Sequence, residues 1–524
     1  MIGPLVLSAP DAAGLAARAA DLRSGLDTTL NDALPAIRAV LRTGLDIRGG
    51  TGAERAVILA SGPARLTGLT ALAEGRPDPL VVRGRADGER RPVLVFSGAG
   101  AQRPGMCREL LEGDADFRAA AGEALDLFGG GVADALAGRR GAPDMQRPEI
   151  HLPALFTTQV GLAAMWARCL APPAAVIGHS IGEIAAAYVA GALTLDEAAT
   201  VTRTMGAAVG ELTGSSAMLS VLAPAEKING LLVEGVELAA VNGPRVVMVA
   251  GPDGEVRALA LLLRQMRIAC KLMPGGYGVH WKGVEQVREP LMALRFPRRT
   301  PETPLYSAAE GGSHVIDGLS DGHWFQCLRA PVQFTSVLRS AAFAQPVAFV
   351  EVSPSPVVAY GMQQAIADEV PVVGAPEDTA SGFLRGLAEA HVAGVAVDWK
   401  SAPAGGADLR TPSGELSGDL LALVLAELAT LTGRLGAFPD DTFQACGLDS
   451  AGAVRLASRL SAATGTRLTA AALFEHATPA ALASYLREPQ DRAVPVPGRR
   501  DASGEDGLGN EFELLLKEIG TGVE

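Results

Sequence analysis

Ala174-Ala175-Val176-Ile177-Gly178-His179-Ser180-Ile181-Gly182-Glu183 carries the chain from a short apolar run, through a Gly-x-Ser-x-Gly pentad, into a helix-forming stretch that continues to Ala190. An apolar run of this length ending at glycine predicts a buried strand, and the alanine-rich segment after it predicts a helix. Glycines two before and two after Ser180 remove the side chains that would clash in so sharp a strand-to-helix turn, which would lift the serine hydroxyl into open space above a sheet. The new helix start would also place backbone N–H groups beside a developing oxyanion. With 62 glycines in 524 residues, the bare pentad arises by chance about once, so its surroundings decide the reading.

Working outward, three further segments appear in order. Phe96-Ser97-Gly98-Ala99-Gly100-Ala101-Gln102 is followed by Gly105-Met106, then Tyr277-Gly278-Val279-His280, then Leu328-Arg329-Ala330-Pro331-Val332-Gln333-Phe334 with Val350-Glu351-Val352-Ser353-Pro354. With the run from Ala174, they resemble the acyltransferase domains of modular type I polyketide synthases over roughly residues 90 to 400. The resemblance implies that Ser180 is the nucleophile and that His280 is the general base taking its proton. It also implies that the N–H groups of Ala99 and Ile181 form the oxyanion hole. A backbone carbonyl near Cys327 is expected to orient the imidazole in place of an aspartate. His179, Gly278, Val279 and position 205 fall at the substrate pocket. By itself a histidine followed by Trp281 reads equally as a packed core residue.

The most informative departure lies on the helix after the elbow. Members that load extender units carry an arginine 25 residues beyond the serine, where it pairs with the free carboxylate of malonyl or methylmalonyl groups; the matching residue here is Met205. Arg203 is turned to roughly the opposite helical face. Removing the partner of a buried charge costs about 3–5 kcal/mol, whereas methionine offers a flexible apolar surface. The expected substrate is therefore a short monocarboxylic acyl-CoA: acetyl, propionyl, isobutyryl or 2-methylbutyryl. One methylene changes binding by only about 1–3 kcal/mol, so several short chains should be accepted.

A second serine stands in Gly447-Leu448-Asp449-Ser450. Leu420, Leu421, Val424, Leu425 and Leu428 make an apolar helical stripe before it, and Val454, Ala457 and Leu460 make another after it. Thr478-Pro479, a cap residue followed by proline at the first helical position, announces a last helix. Read locally, Asp449-Ser450 is only a loop capping a helix. The whole of about 75 residues, with Leu473-Phe474-Glu475-His476 before the last helix, resembles an acyl carrier protein. That resemblance implies a 4'-phosphopantetheine joined covalently to Ser450 by a phosphopantetheinyl transferase.

The expected fold is multidomain, α/β plus all-α. Residues 1–88 form a small α/β linker domain and residues 89–400 an acyltransferase with a hydrolase-like parallel-sheet core and a small ferredoxin-like subdomain at about 214–274. A flexible alanine-, glycine- and proline-rich tether at 401–414 leads to a four-helix acyl carrier protein at 415–488. Residues 489–524 read as a disordered tail in which Asn510, Phe512, Leu515, Leu516 and Ile519 suggest a short amphipathic helix, either docking on the next synthase subunit or packing back on the carrier.

Composition narrows the function. A formal net charge of −13 argues against nucleic-acid binding. The five cysteines (107, 169, 270, 327 and 446) lack metal-ligand spacing and suit a reducing compartment. No uninterrupted apolar run approaches 18 residues and no signal sequence opens the chain, so no membrane association and a cytoplasmic location are expected. Gly98-x-Gly100 lacks the third glycine of a dinucleotide fingerprint, position 103 being arginine. The sequence therefore reads as a loading module that takes an acyl group from acyl-CoA onto Ser180, passes it to the arm on Ser450, and hands it to a downstream ketosynthase subunit. An extender-type didomain, a serine hydrolase fused to a carrier and a non-catalytic scaffold remain as alternatives.

Overall fold

The computed structural model describes residues 4–28 and 52–403, apart from positions 61–62, 77, 79, 267, 269, 310, 344, 367–369 and 376–377. Beyond these it describes 419–432, 478–487 and isolated positions between them. The chain divides into two units, Met1–Arg76 with Leu80–Leu409, and Pro77–Pro79 with Arg410–Glu524.

The first unit begins with an antiparallel sheet ordered β1 (Leu5–Ala9), β2 (Glu54–Ile58), β3 (Val81–Arg85). Strand alternation explains how this sheet is covered on both faces. Leu5, Leu7 and Ile58 point one way into a core with Leu15 and Leu69 from the helices Ala12–Thr28 and Pro63–Ala73. Val6, Val57 and Val82 point the other way and join the main core with Val392. Arg55 Nη1 adds a 2.8 Å hydrogen bond to the His391 carbonyl.

Six strands build the central sheet, in the order β11-β10-β5-β4-β12-β13. They are β4 (Arg91–Phe96), β5 (Ala175–Gly178), β10 (Leu305–Ser307), β11 (Ser313–Val315), β12 (Val347–Val352) and β13 (Val372–Gly374). All neighbours run parallel except the edge strand β11. Val93, Leu94, Val95 and Phe96 are all buried, as a continuous apolar run should be when both sheet faces are covered by helices. The helix Pro148–Cys169 packs against the helix Leu195–Glu211 on one side. The latter opens on a capping box in which Thr194 and Glu197 satisfy each other's backbone N–H.

A second sheet is inserted after that helix, with β6 (Ser216–Val221), β7 (Glu237–Gly243), β8 (Val246–Pro252) and β9 (Cys270–Leu272) in the antiparallel order β7-β8-β6-β9. Helices Ala225–Asn229 and Asp253–Gln265 follow its first and third strands, giving the expected ferredoxin-like βαββαβ subdomain. Leu219, Val247 and Val249 pack against Val256, Leu259 and Leu263 of the longer helix. The opposite face turns Met218, Ala240 and Met248 towards the large sheet's core. Val397 bridges back to Leu170, and the Asp398 N–H donates to the Cys169 carbonyl, closing the domain.

In the second unit, the helices Asp419–Thr432 and Pro479–Arg487 share a core of Leu421, Val424, Leu428, Leu460, Leu473 and Leu482. The Thr478 hydroxyl accepts the Ala481 N–H at 3.2 Å, the expected cap. Ser450 and the helix expected at 510–519 lie outside the described residues. Among the described residues, no helix is long and apolar enough to cross a membrane, and no cluster of His, Cys, Asp or Glu could hold a metal ion.

Candidate active site

Ser180 stands at the end of β5 with φ at 54°, in the left-handed region that non-glycine residues rarely occupy. The flanking glycines make this turn feasible. A Cβ on Gly178 would lie 2.1 Å from the Glu183 Cα, and one on Gly182 would lie 2.2 Å from the Phe96 carbonyl oxygen. The helix Gly182–Val189 starts immediately beyond, so the strained serine is held between a buried strand and a buried helix.

His280 reaches the serine from a second strained position, with φ at 63°. Ser180 Oγ and His280 Nε2 are 2.8 Å apart, and His280 Nδ1 is 2.7 Å from the Ala330 carbonyl. A carbonyl only accepts, so Nδ1 must carry the imidazole proton, which leaves Nε2 as the acceptor for the serine hydroxyl. The backbone N–H of His280 is also fixed, by the Leu328 carbonyl at 2.8 Å. The orienting carbonyl thus belongs to Ala330, the residue that ends the helix His323–Arg329 and whose C=O has no further helical turn to bond. Cys327 was expected to stand near that role; instead its Sγ donates to the Ser180 carbonyl at 3.4 Å.

Burial pushes the His280 imidazole down to about 4, with His179 and Arg329 adding to the effect and the Ala330 carbonyl opposing it. The ring therefore stays neutral, and able to accept the Ser180 proton, well below the ordinary histidine range. In a profile of kcat/KM, which reports the free enzyme's essential groups, the acid limb of acyl transfer should fall near pH 4 and leave the rate flat from pH 8 to pH 5. A half-loss of rate near pH 6.5 would contradict this.

Ser180 and His280 open on a cavity that both sheets line. The loop after β4 supplies Gly98, Ala99 and Gly100, and the elbow supplies His179 and Ile181. That loop is braced: Gln159 Nε2 donates to the Ser97 carbonyl at 2.7 Å, the Ser97 hydroxyl donates to Ser353 Oγ at 2.8 Å, and Gln102 Oε1 accepts the Gly100 N–H. The buried Glu351 carboxylate accepts the N–H groups of Val357, Val358 and Ala359, fixing the Val357 side chain against Gly100. His179 Nε2 lies 2.7 Å from Asn242 Oδ1, linking the elbow to the small subdomain, and burial lowers its basicity too.

The remaining wall is apolar. Leu152, Val209, Met218, Met248, Met273 and Val279 contribute to it, as do Tyr277, Leu328 and Val332. Of the expected pocket residues, His179 and Val279 line the cavity, whereas Met205 and Gly278 do not. Met205 is fully buried in the core, one helical turn behind the wall residue Val209. Gly278 faces the backbone of β6: its N–H donates to Ser216 Oγ, and a Cβ there would lie 2.8 Å from the Ala217 carbonyl oxygen. Trp281 turns back to donate to the Gly278 carbonyl at 3.0 Å and covers Gly283, so it does not narrow the cavity. Arg203 points away, donating to the Leu127 carbonyl.

The sequence reading missed the methionines of the small sheet, although Met218 and Met248 fall on strands whose period-two pattern could have placed them on one face. It also missed Tyr277, whose hydroxyl lies 3.0 Å from Nε2 of the buried His151. In the second unit, Leu448 is buried with Phe443 and Cys446, and its N–H donates to the Phe443 carbonyl at 2.9 Å.

Residues 93–397 match the Acyl transferase domain family, and residues 422–486 match the Phosphopantetheine attachment site family. The chain is 38% identical over 431 residues, 78% of its length, to the Spectinabilin polyketide synthase system protein NorA' of Streptomyces orinoci. It is 35% identical over 411 residues, 76% of its length, to Erythronolide synthase EryA3 of Saccharopolyspora erythraea. It spans 12% of the length of each of these relatives. Its fold is similar to the acyltransferase domain from module 8 of the salinomycin polyketide synthase, at 33% identity and a TM-score of 0.70, covering 76% of this chain and 97% of that one. It is also similar to a loading acyltransferase from the avermectin modular polyketide synthase, at 30% identity and a TM-score of 0.55, covering 57% and 99%. The chain belongs to the acyl transferase domain family, an acyltransferase that continues into a carrier region bearing covalent 4'-phosphopantetheine.

Proposed function

We propose that this chain primes polyketide synthesis by loading a short monocarboxylic acyl group, of the acetyl, propionyl, isobutyryl or 2-methylbutyryl class. Ser180 attacks the thioester carbonyl of acyl-CoA while His280 Nε2 takes its proton. The N–H groups of Ala99 and Ile181 meet the oxyanion. As the tetrahedral intermediate collapses, the C–S bond breaks, His280 returns the proton to the departing CoA thiolate, and the acyl group remains as an ester on Ser180. The phosphopantetheine held by Ser450 supplies the acceptor thiol for the second half-reaction. His280 then takes that thiol's proton and returns it to Ser180 Oγ as the ester is cleaved. Tethering both parts in one chain makes the acceptor effectively intramolecular.

The cavity wall is the observation that carries the choice of acyl group. Among the described residues, none lining the cavity is arginine or lysine, and burial keeps His179 and His280 neutral. Arg329, whose charge is felt at His280, is paired with Glu237 and Glu285. A free carboxylate on the acyl group would be desolvated there with no cation to meet it. Three methionines instead give an adaptable apolar surface.

The handover is tested on the whole chain after treatment with a phosphopantetheinyl transferase and propionyl-CoA. Peptide mass mapping should find the propionyl group on the Ser450 arm, and Ser450→Ala should leave it only on Ser180. Rapid loss to free propionate with an empty carrier would favour a hydrolase. The downstream acceptor is, on this reading, a ketosynthase subunit.

A further inference from the structure

One short helix holds both members of the catalytic pair. The helix His323–Arg329 presents Cys327 Sγ to the Ser180 carbonyl, and the residues at its end, Leu328 and Ala330, offer their carbonyls to the His280 backbone N–H and to Nδ1. Its first residue, His323, is fully buried, with Nε2 3.0 Å from the equally buried Glu183 Oε1. Glu183 lies in the first turn of the elbow helix, three residues beyond Ser180. Its N–H donates to the Ser180 carbonyl at 2.9 Å, the same oxygen that Cys327 reaches.

We infer that His323 and Glu183 are positioning residues: their buried contact fixes the helix that aims His280 to the helix that carries Ser180. This rests on the roles proposed above for Ser180 and His280. Two ionisable side chains buried together are costly to desolvate, and specifying one arrangement of the groups around them is an attested use of such a pair. Here the arrangement specified is a 2.8 Å contact between two residues on strained backbone, each arriving from a different part of the chain. A displacement of about 1 Å in such a pair lowers the rate by about 100-fold, while the acyl cavity is lined by neither His323 nor Glu183.

The test compares single-turnover acylation of Ser180 by propionyl-CoA in the whole chain and in its His323→Phe and His323→Gln variants. His323→Phe keeps a flat ring and removes the polar contact, and should lower the saturating rate tenfold or more with half-saturation changed less than twofold. His323→Gln keeps a polar group near the Nε2 position and should recover most of the rate. Wild-type rates in the Phe variant, or equal losses in both variants, would overturn the inference. If His323→Phe does not fold, Glu183→Gln decides from the other side: a slower saturating rate at unchanged half-saturation supports the inference, and an unchanged rate overturns it. Ser180→Ala, run in parallel, separates the two proposals, because acylation surviving there would refute the parent reading whatever His323 does.

Discussion

Ser180→Ala in the whole chain should take up no propionyl group on the enzyme domain, and His280→Ala should slow Ser180 acylation by about 100- to 10,000-fold while leaving the mass of the adduct unchanged. The asymmetry follows from the roles proposed for the two residues. Ser180 Oγ is the atom that becomes acylated, so its loss leaves nowhere for the ester to form. In the proposed mechanism His280 only moves a proton, and the N–H groups of Ala99 and Ile181, proposed as oxyanion donors, would retain part of the catalysis without it. Intact-protein mass in a Ser450→Ala background reads both variants, since the carrier then cannot hide or replace the enzyme-bound ester. An adduct of normal size and rate on Ser180→Ala would place the nucleophile elsewhere and remove the basis of the mechanism.

The elbow was legible because its demands are local. Glycines at 178 and 182 are required by backbone atoms only a few residues away or on the adjacent strand, as the contacts with Glu183 and Phe96 show. One strand of the parallel sheet was legible for a related reason, since Ala174 to Ile177 is an apolar run ending at glycine, whereas the sheet as a whole was expected from the family resemblance. The fully buried run Val93 to Phe96 fits a strand covered on both faces. The cavity wall was harder to read. Met205 was singled out by its distance in sequence from Ser180, yet it is buried one helical turn before Val209 and does not line the cavity, and the side chains that meet the acyl space include Val209, Met218, Met248 and Met273. No spacing rule links Met218, Met248 and Met273 to Ser180, because their approach depends on how the two sheets pack.

The same limit applies to the orientation of the base. A carbonyl partner near Cys327 was expected, but whether Cys327 or Ala330 supplies it depends on where the helix His323–Arg329 stops, and helix ends are poorly fixed by sequence. Glu183 and His323 stand well apart along the chain and neither belongs to a shared pattern, so only the fold reveals their 3.0 Å approach. The second unit shows the converse, with Thr478-Pro479 forming the expected cap from two adjacent residues.

Competition between propionyl-CoA and malonyl-CoA bears most directly on the proposed function, because the two donors differ chiefly in a charge, and among the described residues no arginine or lysine lines the cavity to receive it. Leaving a buried charge without its partner costs about 3–5 kcal/mol, or roughly 100- to 1,000-fold and more in acylation. The measurement is the ratio of propionyl to malonyl adduct on Ser180 when the whole chain, carrying Ser450→Ala, is mixed with equal concentrations of both and read by intact mass at early times. A propionyl excess of at least 100-fold is the predicted result. Malonyl loading at an equal or greater rate would contradict the account.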